Sequence, residues 1–189
     1  MTTQRESTRE ARRLAALLER HALQLVLAES CTAGLVAATL ARVPGISAHL
    51  CGSAVVYQVA TKAAWLQIPE SMLERPGPVS RVVAAEMAQR VLERTPHANV
   101  SAAVTGHLGP GAPRRQDGLA YAAIAFQPTG RTGRLSSESS FVRKLQLESP
   151  PPGAGSAALR ALRVRRQQQA VLAVITLLGE RIERRFSAK

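Results

Sequence analysis

Among the 25 basic residues of this 189-residue chain only Lys62, Lys144 and Lys189 are lysine; the other 22 are arginine. Arginine keeps its proton at any cellular pH, whereas a desolvated lysine can lose one near neutrality and act as a base. Lys62 follows the apolar pair Val55-Val56 and lies five residues after Tyr57, so it could pair with a serine hydroxyl for nucleophilic attack. One such hydroxyl is Ser30. An apolar run (Leu23, Leu25, Val26, Leu27) breaks there into Glu29-Ser30-Cys31-Thr32-Ala33-Gly34, followed by an Ala/Leu-rich stretch. That strand, turn and helix order places Ser30 at a helix N-terminus, where free N–H groups and the dipole favour an anion or a developing oxyanion. Two plainer readings stand beside this one: Ser30 as a simple helix cap, and Lys62 as an exposed residue on a helical turn.

Other chemistries find less support. Asp117 is the only aspartate, which excludes a paired-aspartate site. A Ser-His-Asp triad would have to join Asp117 to His49, His97 or His107, and no nucleophile-elbow pattern is present. The four His are dispersed and read as surface or structural residues. Cys31 and Cys51 lack ligand spacing, so neither a metal nor a cofactor is expected. Two cysteines without a disulfide framework suit a reducing compartment. The polar N-terminus is no signal peptide, and the apolar run 170–178 is too short to span a bilayer. A cytoplasmic protein without a membrane partner is expected. The net charge of +12 attracts polyanions non-specifically. Zinc spacing, an aromatic stacking platform and a recognition helix are all missing, so nucleic acid is expected as a non-specific partner at most. A small phosphorylated substrate would use the same charge.

The elements that must hold these residues follow from periodicity. Residues 8–21 read as an amphipathic helix, with Ala11, Leu14, Ala15, Leu17 and Leu18 on one face. A strand over 23–28, the Ser30 turn, and a helix over 34–42 ended by Pro44-Gly45 come next. Residues 53–57 are β-prone, 61–66 form a helical turn or two, and Pro78-Val79-Ser80 caps a helix over 81–93 with Val82, Val83, Met87, Ala88 and Val91 inward. Strands are expected at 99–104, at 119–126 and within 134–147, and one long helix over 156–185. A single domain, 1–189, is expected, with 1–8 flexible and 149–155 a Pro/Gly-rich insertion. Aromatics make up 3% of the chain, so its core must be Ala, Leu and Val. The order of elements predicts a three-layer α/β/α sandwich with a mixed sheet.

Several ordered motifs then carry a resemblance. They are Glu29-Ser30-Cys31-Thr32-Ala33-Gly34, Pro44-Gly45-Ile46-Ser47-Ala48, Val56-Tyr57 with Lys62 five on, Gly77-Pro78-Val79-Ser80, Thr105-Gly106 with Gly109-Pro110-Gly111, and Gly118. Together they resemble the CinA C-terminal domain, the family of nicotinamide mononucleotide (NMN) amidohydrolases, over residues 11–179. The resemblance implies an α/β/α sandwich, no metal, homo-oligomerisation, and hydrolysis of the NMN carboxamide to nicotinate mononucleotide and ammonia. It puts Ser/Lys chemistry on Ser30 and Lys62, with Ser47 the rival nucleophile and Tyr57 relaying a proton or orienting the lysine. It also puts substrate contacts on Thr32, Gly34, Thr105, Gly106 and Gly109.

This sequence departs from that pattern in places. Ala33 stands for a glycine, His107-Leu108 replaces Ile-Ala in the glycine-rich loop, and Ala112-Pro113-Arg114-Arg115 follows where more glycine is usual. The Gly-Asp-Arg before the last helix, whose arginine would hold phosphate, is missing, and only Arg160 or Arg163 stands near enough to replace it. Two alternatives therefore stay open. One is a diverged member with a changed substrate or lost activity. The other is a basic binding protein of competence or damage response.

Overall fold

Alanine, valine and leucine fill the central strands, and their small side chains let helices sit close on both faces of one sheet. The computed structural model describes residues 2–128 and 140–187. Helix α1 (Thr2–Arg20) leads into β1 (Leu25–Glu29), a turn, and the short α2 (Leu35–Leu40). A 3₁₀ turn (Ile46–Ala48) precedes β2 (Leu50–Val55), α3 (Val59–Leu66), α4 (Glu70–Glu74) and α5 (Arg81–Glu93). Then come β3 (Val100–Gly106), β4 (Leu119–Phe126), β5 (Phe141–Gln146) and α6 (Ser156–Phe186).

The sheet runs β2-β1-β3-β4-β5. Strand β1 is parallel to both β2 and β3, and β4 and β5 continue antiparallel. One apolar layer joins Leu14 and Leu18 of α1, Val36 and Leu40 of α2, and Val174 and Leu178 of α6 to one face of the sheet. The other joins Leu66 of α3, Leu73 of α4, and Met87 and Leu92 of α5 to the opposite face. The expected three-layer mixed sandwich is the observed one.

The register sets up the site. Glu29 lies beside Val55 on one side and Val104 on the other. The residues that leave the carboxyl ends of β1 and β2, and those that end β3, therefore emerge next to one another: Ser30, Val56-Tyr57 and Thr105-Gly106. In open α/β sheets this end of the parallel strands is where ligands bind.

Several boundaries differ from the sequence reading. Helix α1 begins at Thr2, α3 at Val59 and β2 at Leu50, and α4 was not anticipated. Val82 is exposed, not inward: α5 buries Val83, Ala84, Met87, Ala88, Val91 and Leu92, a stripe at helical spacing from which Val82 is rotated away. Within the strand expected at 134–147, β5 occupies Phe141–Gln146, and residues 134–139 lie outside the described residues. Ser80 caps α5 as expected, its Oγ accepting the Val83 N–H.

Candidate active site

Lys62 is carried on α3 and turned inward beneath the end of β2; only 2% of its surface is exposed. Its Nζ donates to Ser30 Oγ at 2.9 Å, to the Val56 carbonyl at 2.8 Å and to the Tyr57 carbonyl at 3.3 Å. Burial pulls the ammonium down from its ordinary 10.5 to about 8. The two carbonyls satisfy two N–H groups of a neutral amine, which leaves its lone pair for the Ser30 hydroxyl. An activated serine beside a tuned base is the arrangement nucleophilic catalysis requires. Cys31, next in the chain, is buried, and burial pushes its thiol up to about 12. It therefore stays protonated and is a poor nucleophile at neutral pH.

Ser47, the rival nucleophile, is placed elsewhere. It is exposed on the 3₁₀ turn that precedes β2, at the amino end of the strand whose carboxyl end leads to Lys62. One strand length separates it from the lysine. Tyr57 holds Lys62 through its backbone carbonyl, while its phenol oxygen accepts from Arg163 Nη2 at 2.6 Å. The geometry thus gives Tyr57 an orienting contact rather than a proton-relay contact.

The turn after Ser30 is organised by a residue that the sequence reading quoted but gave no role. Glu29, 1% exposed, accepts at Oε2 from Thr32 Oγ1 (2.7 Å), Gly34 N (3.0 Å) and Val36 N (3.0 Å). Its Oε1 accepts from Ala37 N (2.9 Å) and Ser53 Oγ (3.1 Å). This overturns two expectations. The N-terminus of α2 is capped by the Glu29 carboxylate and is not free for an oxyanion, and Thr32 and Gly34 serve the turn rather than the substrate. Within the turn, the Ser30 N–H is bonded to Val104 O, Ala33 N to Ser30 O, and Gly34 N to Glu29. Among the described residues, the Cys31 and Thr32 N–H groups are the ones in this turn left without an acceptor. A glutamate at the last position of a buried strand, five to eight residues before helical N–H groups, was the available signal.

Ser30, Tyr57, Lys62, Thr105, Gly106 and Arg163 surround a cleft of about 310 Å³, and residues 107–113 form its other wall. Thr105 Oγ1 donates to the Pro78 carbonyl. Gly106 must be glycine because a Cβ there would lie 2.5 Å from Ala120 Cβ on the paired strand. Gly109 has φ +63°, and its Cβ would fall 2.7 Å from Asp117 Oδ1 and 2.9 Å from Arg166 Nη1. His107, read from sequence as surface or structural, lines the cleft.

Of the two candidate arginines, Arg163 reaches the cleft and bridges its mouth, donating to the Gly109 carbonyl and the Tyr57 phenol. Arg160 is exposed and does not line it. A further arginine, unanticipated, supports the wall. Arg166, 1% exposed, binds Asp117 at 2.8 and 2.7 Å and donates to the Glu148 and Leu108 carbonyls. Its guanidinium holds the Asp117 carboxyl below the usual carboxylate range. Among the described residues no His/Cys/Asp/Glu group is arranged to hold a metal ion, and no helix is long and apolar enough to cross a membrane.

A layered α/β/α sandwich with a serine and a buried lysine at the parallel-strand ends defines the class of the protein. The CinA C-terminal domain family matches residues 7–146, and the chain belongs to that family. It is 43% identical over 94 residues to a CinA-like protein of Desulfotalea psychrophila, covering 50% of this chain and 22% of that protein. Against a CinA-like protein of Myxococcus xanthus it is 40% identical over 110 residues, 57% of this chain and 26% of that one. The chain thus spans about a quarter of the length of these curated relatives. Among solved structures, a CinA superfamily protein from Klebsiella pneumoniae superposes with a TM-score of 0.76 at 22% identity, covering 94% of this chain and 98% of that one. The competence/damage inducible protein CihA from Agrobacterium tumefaciens gives 0.71 at 28% identity, covering 91% and 95%.

Proposed function

We propose that this protein is an amidohydrolase that converts nicotinamide mononucleotide to nicotinate mononucleotide and ammonia through Ser30 and Lys62. The observation that carries the reading is the 2.9 Å contact between Lys62 Nζ and Ser30 Oγ, with two carbonyls holding the amine. Neutral Lys62 takes the serine proton as Oγ attacks the carboxamide carbon. The N–H of Cys31, which lines the cleft, supplies a donor for the developing oxyanion. The C–N bond breaks, ammonia leaves with the proton that Lys62 held, and an acyl-serine ester remains. Water attacks the ester, Lys62 takes its proton, and the C–Oγ bond breaks to give the carboxylate and restore the hydroxyl. Arg163 at the cleft mouth serves the phosphate by exchanging its present partners for phosphate oxygens. This is nucleotide chemistry without a cofactor, carried out in the cytoplasm by a homo-oligomer; light scattering of the purified chain tests the assembly.

The decisive experiment is ammonia release from NMN by the full chain and its variants. Ser30→Ala, Lys62→Ala and Lys62→Arg each lose about 10²-fold or more of kcat/KM, the range that base catalysis contributes. Normal turnover in Lys62→Arg would overturn the role given to the lysine. A second reading, the same reaction on a different anionic carboxamide, is favoured by His107 lining the cleft and by Arg163 standing in for the missing Gly-Asp-Arg arginine. Turnover of another carboxamide nucleotide with NMN left untouched would select it.

A further inference from the structure

The end of the sheet opposite the cleft gathers positive charge of its own. Phe126 closes β4 and Phe141 opens β5, and the last turns of α6 pack over them. Arg181 stacks on Phe141 with its guanidinium carbon 4.3 Å from the ring centroid, and Arg185 stacks on Phe126 at 4.8 Å. Together with Arg184 and Ile124 these residues line a cavity of about 240 Å³. Phe126 and Arg185 also border a neighbouring cleft that reaches Leu23 and Asn99.

Three guanidiniums share this cavity, and among the described residues Glu180 is the acid whose charge acts on Arg181. The nearby acids are used elsewhere: Glu180 pairs with Arg143 and Glu183 with Arg13. Among the described residues no ion pair involves Arg181, Arg184 or Arg185. The Nε of Arg181 is buried with no hydrogen-bond partner. A buried donor left without an acceptor is costly, and gathered like charges add repulsion. Repulsion from Arg184 and Arg143 adds to burial in drawing the Arg181 guanidinium below its ordinary range.

Cations in the last helical turn interact favourably with the carbonyl end of the dipole, which accounts for Arg184 and Arg185 singly. It does not account for Arg181, further back along the helix with its Nε sealed and unbonded. A guanidinium stacked on a ring keeps its N–H edge for planar recognition of oxyanions, and arginine binds phosphate through paired N–H donors.

We propose that this cavity is a second anion site, separate from the catalytic cleft, that takes the phosphoryl group of a small phosphorylated ligand. The dianion offsets two of the three positive charges and accepts from the guanidinium N–H edges that face the cavity. Arg184 and Arg185 are exposed, so their removal leaves the fold standing, which a thermal melt by circular dichroism verifies.

Pyrophosphate titrated calorimetrically into the full chain is the probe, with inorganic phosphate and a nucleoside monophosphate as further arms that separate the free ion from the nucleotide as source. Saturable binding that weakens about tenfold or more in Arg184→Ala/Arg185→Ala, and persists in the cleft variant Arg163→Ala, supports the site. Unchanged NMN turnover in the Arg184→Ala/Arg185→Ala protein keeps this test independent of the catalytic reading. Three results would overturn the proposal: no saturable binding, loss of binding in Arg163→Ala with Arg184→Ala/Arg185→Ala unaffected, or preferential binding of single-stranded DNA with affinity growing with its length.

Discussion

Replacing Lys62 by methionine separates its charge from its packing. The folded protein holds this ammonium at about 8 against an ordinary value of 10.5, and each unit of that gap is worth about 1.4 kcal/mol. Below pH 8 the lysine is charged in both folded and unfolded chains, and the fold bears the full cost of burying it, about 3 kcal/mol. As pH rises from 8 towards 10.5 the folded state releases its proton first, and the cost fades. The stability of wild type relative to Lys62→Met should therefore rise by about 3 kcal/mol across that window. The contacts that methionine also removes shift both ends of the comparison equally. Cys31, held at about 12, stays protonated throughout. Urea midpoints of both proteins at pH 7, 8, 9, 10 and 10.5 measure the difference, with reductant present. A flat difference, or one that falls with pH, would refute the argument that burial lowers this amine.

The same displacement governs catalysis: kcat/KM for ammonia release should climb with pH and level off above about 8, since only the neutral amine accepts the serine proton. Ser47→Ala should leave turnover unchanged, because that hydroxyl lies at the far end of β2. Glu29→Gln should cost about 2–3 kcal/mol in chemical denaturation and lower turnover, because its amide group confronts the Ala37 N–H donor and loosens the Ser30 turn. Asp117→Asn should cost about 3 kcal/mol at neutral pH by leaving Arg166 without a counter-charge. Because the carboxyl is held low, the pair's contribution is present above the unfolded value of about 4 and is lost as pH falls through the folded value. The acid-side loss of stability seen in wild type should be smaller in the variant. Gly106→Ala should destabilise by about 1–3 kcal/mol, since its Cβ meets Ala120 across the strand pair.

Much of this protein could be read along the chain. Apolar runs gave β1, β3 and β4, helical spacing gave α1 and α5, and the rarity of lysine singled out Lys62. Those signals are local: they depend on period, turn chemistry and the difference between two cations. What the chain order leaves open is which residues meet. Only the parallel β2-β1-β3 register brings Lys62 against Ser30 and carries Ser47 away, although both serines follow plausible turns. Only packing shows that Glu29 consumes the N-terminus of α2, which the sequence offered to an oxyanion. Likewise it assigns Arg163 to the cleft, Arg166 to its wall and Arg160 to the surface. Residue type and periodicity fix what a segment can become, because they act within a few residues. Partnership between side chains tens of residues apart is set by sheet register and helix rotation, and these exist only once the layers have closed on one another.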